Sequence, residues 1–263
     1  MKRIIAPLAL AVSLTACGVS QQQEIQMGQE YSQQVNAQLP IVSDPEVNRY
    51  INLLGDQLAS HTTRADLEWH FYVVDSKEVN AFSLPGGYVY VNRGLIERTS
   101  TMDELAGVLG HEIGHVVRRH SIKQMEKEQG ANVGITLACV LTNICNSQAA
   151  GALINVGGTA VFARFSRQDE AEADQEGVAN VVRTGINPNG IVTMFEKLIA
   201  ERKSRPSAVA GWFATHPLEE DRIAAVRAEI AAYPAGQLSG LQTNSSNYNS
   251  FVARFRSLPA PRQ

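Results

Sequence analysis

Apolar positions recur at helical spacing along most of the chain and alternate over only two short stretches. Residues 24–39 are polar overall, with Ile25, Tyr31, Val35 and Leu39 spaced for one buried stripe, and Pro40 ends the run. Asp44 followed by Pro45 caps and opens a second helix, reaching to about Ser60. Residues 69–74 alternate and are rich in aromatic and β-branched side chains, which predicts a strand. A turn at Leu84-Pro85-Gly86-Gly87 leads to a second strand, Tyr88-Val89-Tyr90-Val91. Thr101 with Glu104 three residues on forms a capping box. The helix it starts carries apolar Leu105, Val108 and Leu109, is expected to be largely buried, and continues to about Met125. Further helices are predicted over 168–184, stopped by Gly185, over 188–202, and over 218–232. From Tyr233 onward Ser, Asn, Gly and Pro dominate, and this stretch is expected to be poorly ordered.

One helix carries chemistry. His111-Glu112-Ile113-Gly114-His115 is the HExxH pattern of zinc peptidases. Residues four apart on a helix lie one turn above each other, so His111 and His115 can share one metal ion. Glu112 sits beside them, placed to take a proton from a water molecule. A buried histidine pair on a core helix is costly unless something binds it. A catalytic zinc site needs a third protein ligand. The metzincin position, ten residues after His111, is Ser121, and His120 is one residue off and faces away on a continuous helix. A carboxylate from a later helix remains, and residues 169–174 are the strongest source. There Glu170 and Asp174 share a face and Glu172 points nearly opposite. Glu170 is therefore assigned as ligand, and Asp174 as the acceptor that orients a ligand histidine. His61 and His70 lack metal spacing.

The chain ends change the picture of location. Lys2 and Arg3 precede an apolar run over 4–14, too short for the roughly 20 residues a bilayer span needs. The run closes on Leu14-Thr15-Ala16-Cys17, which resembles a bacterial lipobox with cleavage before Cys17 and lipid on that cysteine. This predicts a signal peptide over 1–16, a tether over 17–23, a single peptidase domain over 24–232 and a tail over 233–263. Gly18 after the cysteine favours the outer membrane, facing the periplasm. Residues 129–163 contain no charged side chain, but Asn and Gly interrupt the run, and two short helices around a turn at 143–148 are expected as a cover or membrane-facing surface. Cys139 and Cys145 fit no Cys-x-x-Cys pattern; an oxidising periplasm leaves open a local bridge or two buried thiols. The formal net charge of −3 becomes more negative once Lys2 and Arg3 are removed, so there is no electrostatic footprint for nucleic acid.

Several segments, in order, resemble the HtpX/BepA-like family of zinc metallopeptidases, whose Oma-type and prenyl-protease relatives share the core. They are Asn80-Ala81-Phe82 with Gly86-Gly87, Asn92-Arg93-Gly94-Leu95, residues 104–115, Arg119-His120-Ser121, residues 166–174, and Thr215-His216-Pro217 with Arg222. The resemblance covers roughly residues 24–230. It implies a mostly helical α+β, zincin-like fold with a small sheet beside the HExxH helix, and one Zn2+ held by His111, His115 and Glu170 with Glu112 as general base. It also implies an envelope endopeptidase acting on unfolded or misassembled envelope proteins; the alternative is a largely latent, chaperone-like assembly factor. For the oxyanion, His216 and Arg222 are the candidates, and His216 could instead fill the fourth zinc position in a resting form. The 88–91 strand is the candidate edge strand for substrate.

Overall fold

The computed structural model describes residues 18–131, 165–217 and 220–259. Residues 1–17, where the signal peptide and lipidated Cys17 are expected, and Cys139 and Cys145 with most of the uncharged stretch, lie outside the described residues. Those that are described form an α+β, mostly helical architecture around a three-stranded sheet.

Two helices come first, α1 (Gln21–Gln38) and α2 (Pro45–Ala59). The α1 start takes in part of the expected tether, because Ser20 and Gln23 complete a capping box. Its buried stripe runs through Glu24, Gly28, Tyr31 and Val35, while Ile25 is exposed. Glu24 tolerates full burial because Arg64 (2.6 Å) and Arg119 (2.7 Å) both bind its carboxylate. In α2, Asp44 accepts from the backbone of Glu46 and Val47, the cap that the sequence predicts.

Strands β1 (His70–Val74), β2 (Ala81–Leu84) and β3 (Tyr88–Asn92) order as β1-β3-β2. β3 runs parallel to β1 and antiparallel to β2. The expected edge role of the 88–91 strand is thus overturned: β3 is central, hydrogen-bonded on both sides. The edge is β2, formed by the Asn80-Ala81-Phe82 segment after the short turn folds it back on β3. The opposite edge, β1, is closed by Asn52, whose side chain both accepts from and donates to the backbone of Phe71.

After a single turn, α3 (Arg93–Ile96), comes α4 (Met102–Val117), buried from Met102 to Val116. Leu105, Leu109 and Ile113 are fully enclosed, each contributing about 1.5–3 kcal/mol of burial free energy. The expected capping box does not close: Glu104 accepts from the backbone of Ser100, but the Thr101 hydroxyl donates to Asp103 and accepts from no backbone N–H of the first turn. The helix does not run on to Met125. It stops at Val117, Arg119 takes a left-handed φ of 58°, and α5 (His120–Ala131) sets off afresh.

Against α4 pack α6 (Arg167–Arg183) and α7 (Asn189–Ser204). The α4–α6 approach is very close. A Cβ on Gly114 would lie 2.7 Å from the Ala173 carbonyl oxygen, and one on Gly177 would lie 3.1 Å from the His111 nitrogen. A 3-10 turn (Pro206–Val209) and the short α8 (Ala210–Thr215) then lead to α9 (Glu220–Ala231).

Beyond residue 233, where poor order is expected, the chain forms α10 (Ala235–Leu238) and α11 (Ser246–Ser257). Ser245 caps α11, and Tyr248, Phe251 and Phe255 are buried in the main core. The reason is spacing: three aromatics at i, i+3 and i+7 make one apolar face within a polar composition. Phe255 lies under the Arg93 guanidinium, 4.8 Å from ring centroid to carbon. Phe255→Ala is predicted to destabilise the fold by about 3–5 kcal/mol, measured by urea denaturation. A variant as stable as wild type would mean that α11 is not part of the cooperative unit.

Candidate metal centre

His111, Glu112 and His115 reach the centre from α4, Glu170 and Asp174 from α6, His216 from the loop after α8, and Arg222 from α9. His111, His115, Glu170 and His216 each offer a ligand atom, and these atoms lie within 4.8 Å of one another in fully buried surroundings. The structure thus brings together the four residues assigned to zinc or its fourth position. His111 Nε2 is 3.1 Å from His115 Nε2 and 3.3 Å from His216 Nδ1. Glu170 Oε1 is 3.1 Å from His216 Nδ1 and 3.4 Å from His115 Nε2.

The donor set fits a metal ion. Asp174 Oδ1 lies 2.8 Å from His111 Nδ1, so that nitrogen carries the proton and Nε2 turns its lone pair inward. The facing Nε2 atoms of His111 and His115 can coexist at 3.1 Å only with a cation or proton between them. Charge points the same way: Glu112, Glu170 and Asp174 are three buried carboxylates against the single guanidinium of Arg222, a surplus that a divalent cation would offset.

Electrostatics inside the cluster are strong. Burial holds His115 well below the ordinary histidine range, a cost the Glu170 hydrogen bond only partly relieves. For His216 burial also favours the neutral form, but the charges of Glu170 and Glu112 outweigh it and raise its pKa. For Glu170, burial opposes ionisation, yet the surrounding His216, His115 and His111 hold its pKa well below the usual carboxylate value.

Glu112 is fully buried. Its Oε2 accepts from the Ser83 hydroxyl on β2 at 3.1 Å, and its Oε1 has no hydrogen-bond partner, facing His216 Nε2 at 3.3 Å. Arg222 occupies a different place from the one expected. Its Nε and Nη2 grip Asp174 at 2.7 and 2.8 Å, and Nη1 binds Glu170 and the Pro217 carbonyl. With its donors committed, Arg222 fixes the two carboxylates and is not free for an oxyanion. His216 Nε2, by contrast, has no hydrogen-bond partner.

His120 also corrects the sequence reading. It is buried, and its Nδ1 lies 2.9 Å from His115 Nδ1. Its Nε2 is 3.3 Å from Glu172 Oε2, and burial holds its pKa below the ordinary value. The signal that could reveal this contact is not periodicity but the helix break at Arg119, which no glycine or proline marks. The rings of Phe165 and Trp212 close the site, stacked on His115 (3.9 Å) and His216 (4.6 Å).

A family model described as Peptidase family M48 matches residues 45–230. The chain is 34% identical over 247 residues to the Beta-barrel assembly-enhancing protease of Escherichia coli (strain K12), covering 90% of this chain and 48% of that protein. It is 28% identical over 223 residues to Metalloprotease LoiP of the same organism, covering 84% and 86%. With Mitochondrial metalloendopeptidase OMA1 of Schizosaccharomyces pombe it shares 30% over 174 residues, covering 66% and 50%. The chain therefore spans about half the length of the first of these relatives.

Beside the centre, burial and the charges of Asp174 and Glu176 push Glu229 up to about 7. A raised folded-state pKa means that ionised Glu229 weakens the fold. The penalty is absent below the ordinary carboxyl pKa of about 4.3, grows as pH rises, and is complete above about 7. Glu229→Gln is predicted to raise the thermal midpoint at pH 8, with the gain vanishing near pH 4.5. An equal gain at both pH values would contradict the electrostatic origin.

Proposed function

The chain belongs to peptidase family M48, and on that premise we propose that it is a zinc-dependent metalloendopeptidase of the bacterial cell envelope. The observation that carries this reading is the buried Glu112 carboxylate, with one oxygen unpartnered, beside the four-residue cluster and next to β2, which pairs with no strand but β3 among the described residues. When bound, zinc supplies a Lewis acid that polarises a scissile carbonyl and makes a water more acidic. His111, His115 and Glu170 would hold it. The chain's own residues do the rest.

Asn92 N–H donates to the Asn80 carbonyl, so in the β2–β3 ladder residues 80, 82 and 84 turn their backbone groups towards β3. Ala81 and Ser83 then turn theirs away from β3, to the side where an extended peptide would add as a further strand. Such a peptide lies next to Glu112, which Ser83 orients. Glu112 Oε1 takes the proton of the attacking water and passes it to the leaving amine. His216 Nε2–H stands ready to donate to the oxyanion.

Binding through backbone groups suits unfolded or misassembled envelope proteins as substrates, since only an extended chain can pair with an edge. The export segment ending at Cys17 supports a lipid anchor on the periplasmic side of the outer membrane. Nothing in the charge pattern suits nucleic acid.

One observation favours a second reading. His216 Nδ1 sits among the ligand atoms, so His216 can complete a closed four-residue set. That arrangement is a resting form, and a chain held in it would act mainly as a chaperone-like assembly factor.

Hydrolysis of unfolded casein separates these readings. Glu112→Gln is predicted to lower kcat about 10²–10⁴-fold with zinc content unchanged, and His216→Ala to keep its zinc. If His216→Ala is faster than wild type, the resting form is supported; if slower, the oxyanion role is. A Glu112→Gln enzyme as active as wild type would contradict the general-base assignment.

A further inference from the structure

The histidine pair of α4 is held from behind by two different devices. His111 leans directly on a carboxylate, Asp174. His115 leans on another imidazole. His120 Nδ1 lies 2.9 Å from His115 Nδ1, and His120 Nε2 lies 3.3 Å from Glu172 Oε2 and 3.7 Å from Asp169 Oδ1. The inward role of His115 Nε2 then fixes every proton in the chain. His115 must keep the lone pair on Nε2, so its Nδ1 carries the hydrogen and donates to His120 Nδ1. That nitrogen must accept, so the His120 proton sits on Nε2, facing the carboxylates of α6. Both rings are neutral, and each nitrogen has one role.

The backbone shows what it takes to build this contact. On a continuous helix, residue 120 would stand about 140° around the axis from His115, out of reach. The left-handed φ of 58° at Arg119 ends α4 and starts α5 with His120 folded back beneath His115. A non-glycine residue in that region costs about 1–2 kcal/mol, and the fold holds it there. Arg119 Nε donates to the buried Glu24 at 2.7 Å, and its Nη2 to the Val19 carbonyl at 2.5 Å. The N-terminal helix thus secures the break that delivers His120.

We propose that His120 is a positioning residue of the metal centre, an imidazole relay from the Glu172 and Asp169 carboxylates that fixes the tautomer and ring plane of His115. This rests on the metal-site reading above. A histidine that merely filled space would be replaceable by any ring of similar size.

The test is zinc affinity of the full-length chain, by competition with a chelator, for wild type, His120→Phe and His120→Asn. Thermal midpoints of the three metal-free proteins control for folding. Phe fills the space without an acceptor; Asn places its Oδ1 where the histidine Nδ1 lies. His120→Phe is expected to lose about 10–100-fold in zinc affinity, and His120→Asn to recover most of it, whatever their metal-free stabilities. Wild-type affinity in His120→Phe would overturn the inference alone. So would equal losses in both variants that track their metal-free midpoints. Failure of the wild-type chain to take up zinc would overturn the metal-site reading as well.

Discussion

The close contact of α4 with α6 is the constraint on which the rest depends. Gly114 lies between the two metal-spaced histidines' turn and the Ala173 backbone, where a Cβ would meet a carbonyl oxygen at 2.7 Å. Gly110 and Gly177 face each other one turn away, with a Cβ on Gly110 only 3.3 Å from the Gly177 Cα. Side chains at these positions would hold the helices apart by the width of a methyl group or more. With the backbones this near, the Glu170 carboxylate meets His115 Nε2 at 3.4 Å. The metal centre is therefore set by packing first and by its ligands second.

That packing carries an electrostatic load. Three carboxylates and four histidines are buried in and around the core, where an isolated charge is expensive. The structure answers with a nested set of partners. Arg222 spans Glu170 and Asp174, and stacks over Phe195 at 4.7 Å. Asp174 orients His111, His120 orients His115, and Ser83 orients Glu112. Each group near the reacting position is fixed by one behind it, as preorganised catalysis requires. The two atoms without a hydrogen-bond partner, Glu112 Oε1 and His216 Nε2, face one another at 3.3 Å beside the four ligand atoms.

Much of this was legible in the residues, and what was not has physical causes. HExxH spacing is local, so the shared face of His111 and His115, with Glu112 beside it, follows from helix geometry, and the i, i+4 relation of Glu170 and Asp174 follows likewise. Strand order is not local. Tyr88-Val89-Tyr90-Val91 reads as a good strand, but only pairing with two partners makes it central, and Ala81 to Leu84 is too short to declare itself the edge. His120 was hidden because its position depends on one left-handed residue, Arg119, stabilised by Glu24 from far away in sequence. Arg222 could be placed at the site but not given its partners. In α11 a Ser- and Asn-rich composition masked the spacing of Tyr248, Phe251 and Phe255, showing that periodicity outranks composition in deciding what packs.

The most direct measurement of the central claim, that these buried side chains form one zinc centre, is zinc K-edge X-ray absorption on the purified full-length chain. The account predicts one zinc per chain, surrounded by nitrogen and oxygen at about 2.0–2.2 Å with imidazole scattering and no sulfur. Sulfur in the coordination shell, or zinc still bound with unchanged scattering after His111 and His115 are both replaced, would contradict it.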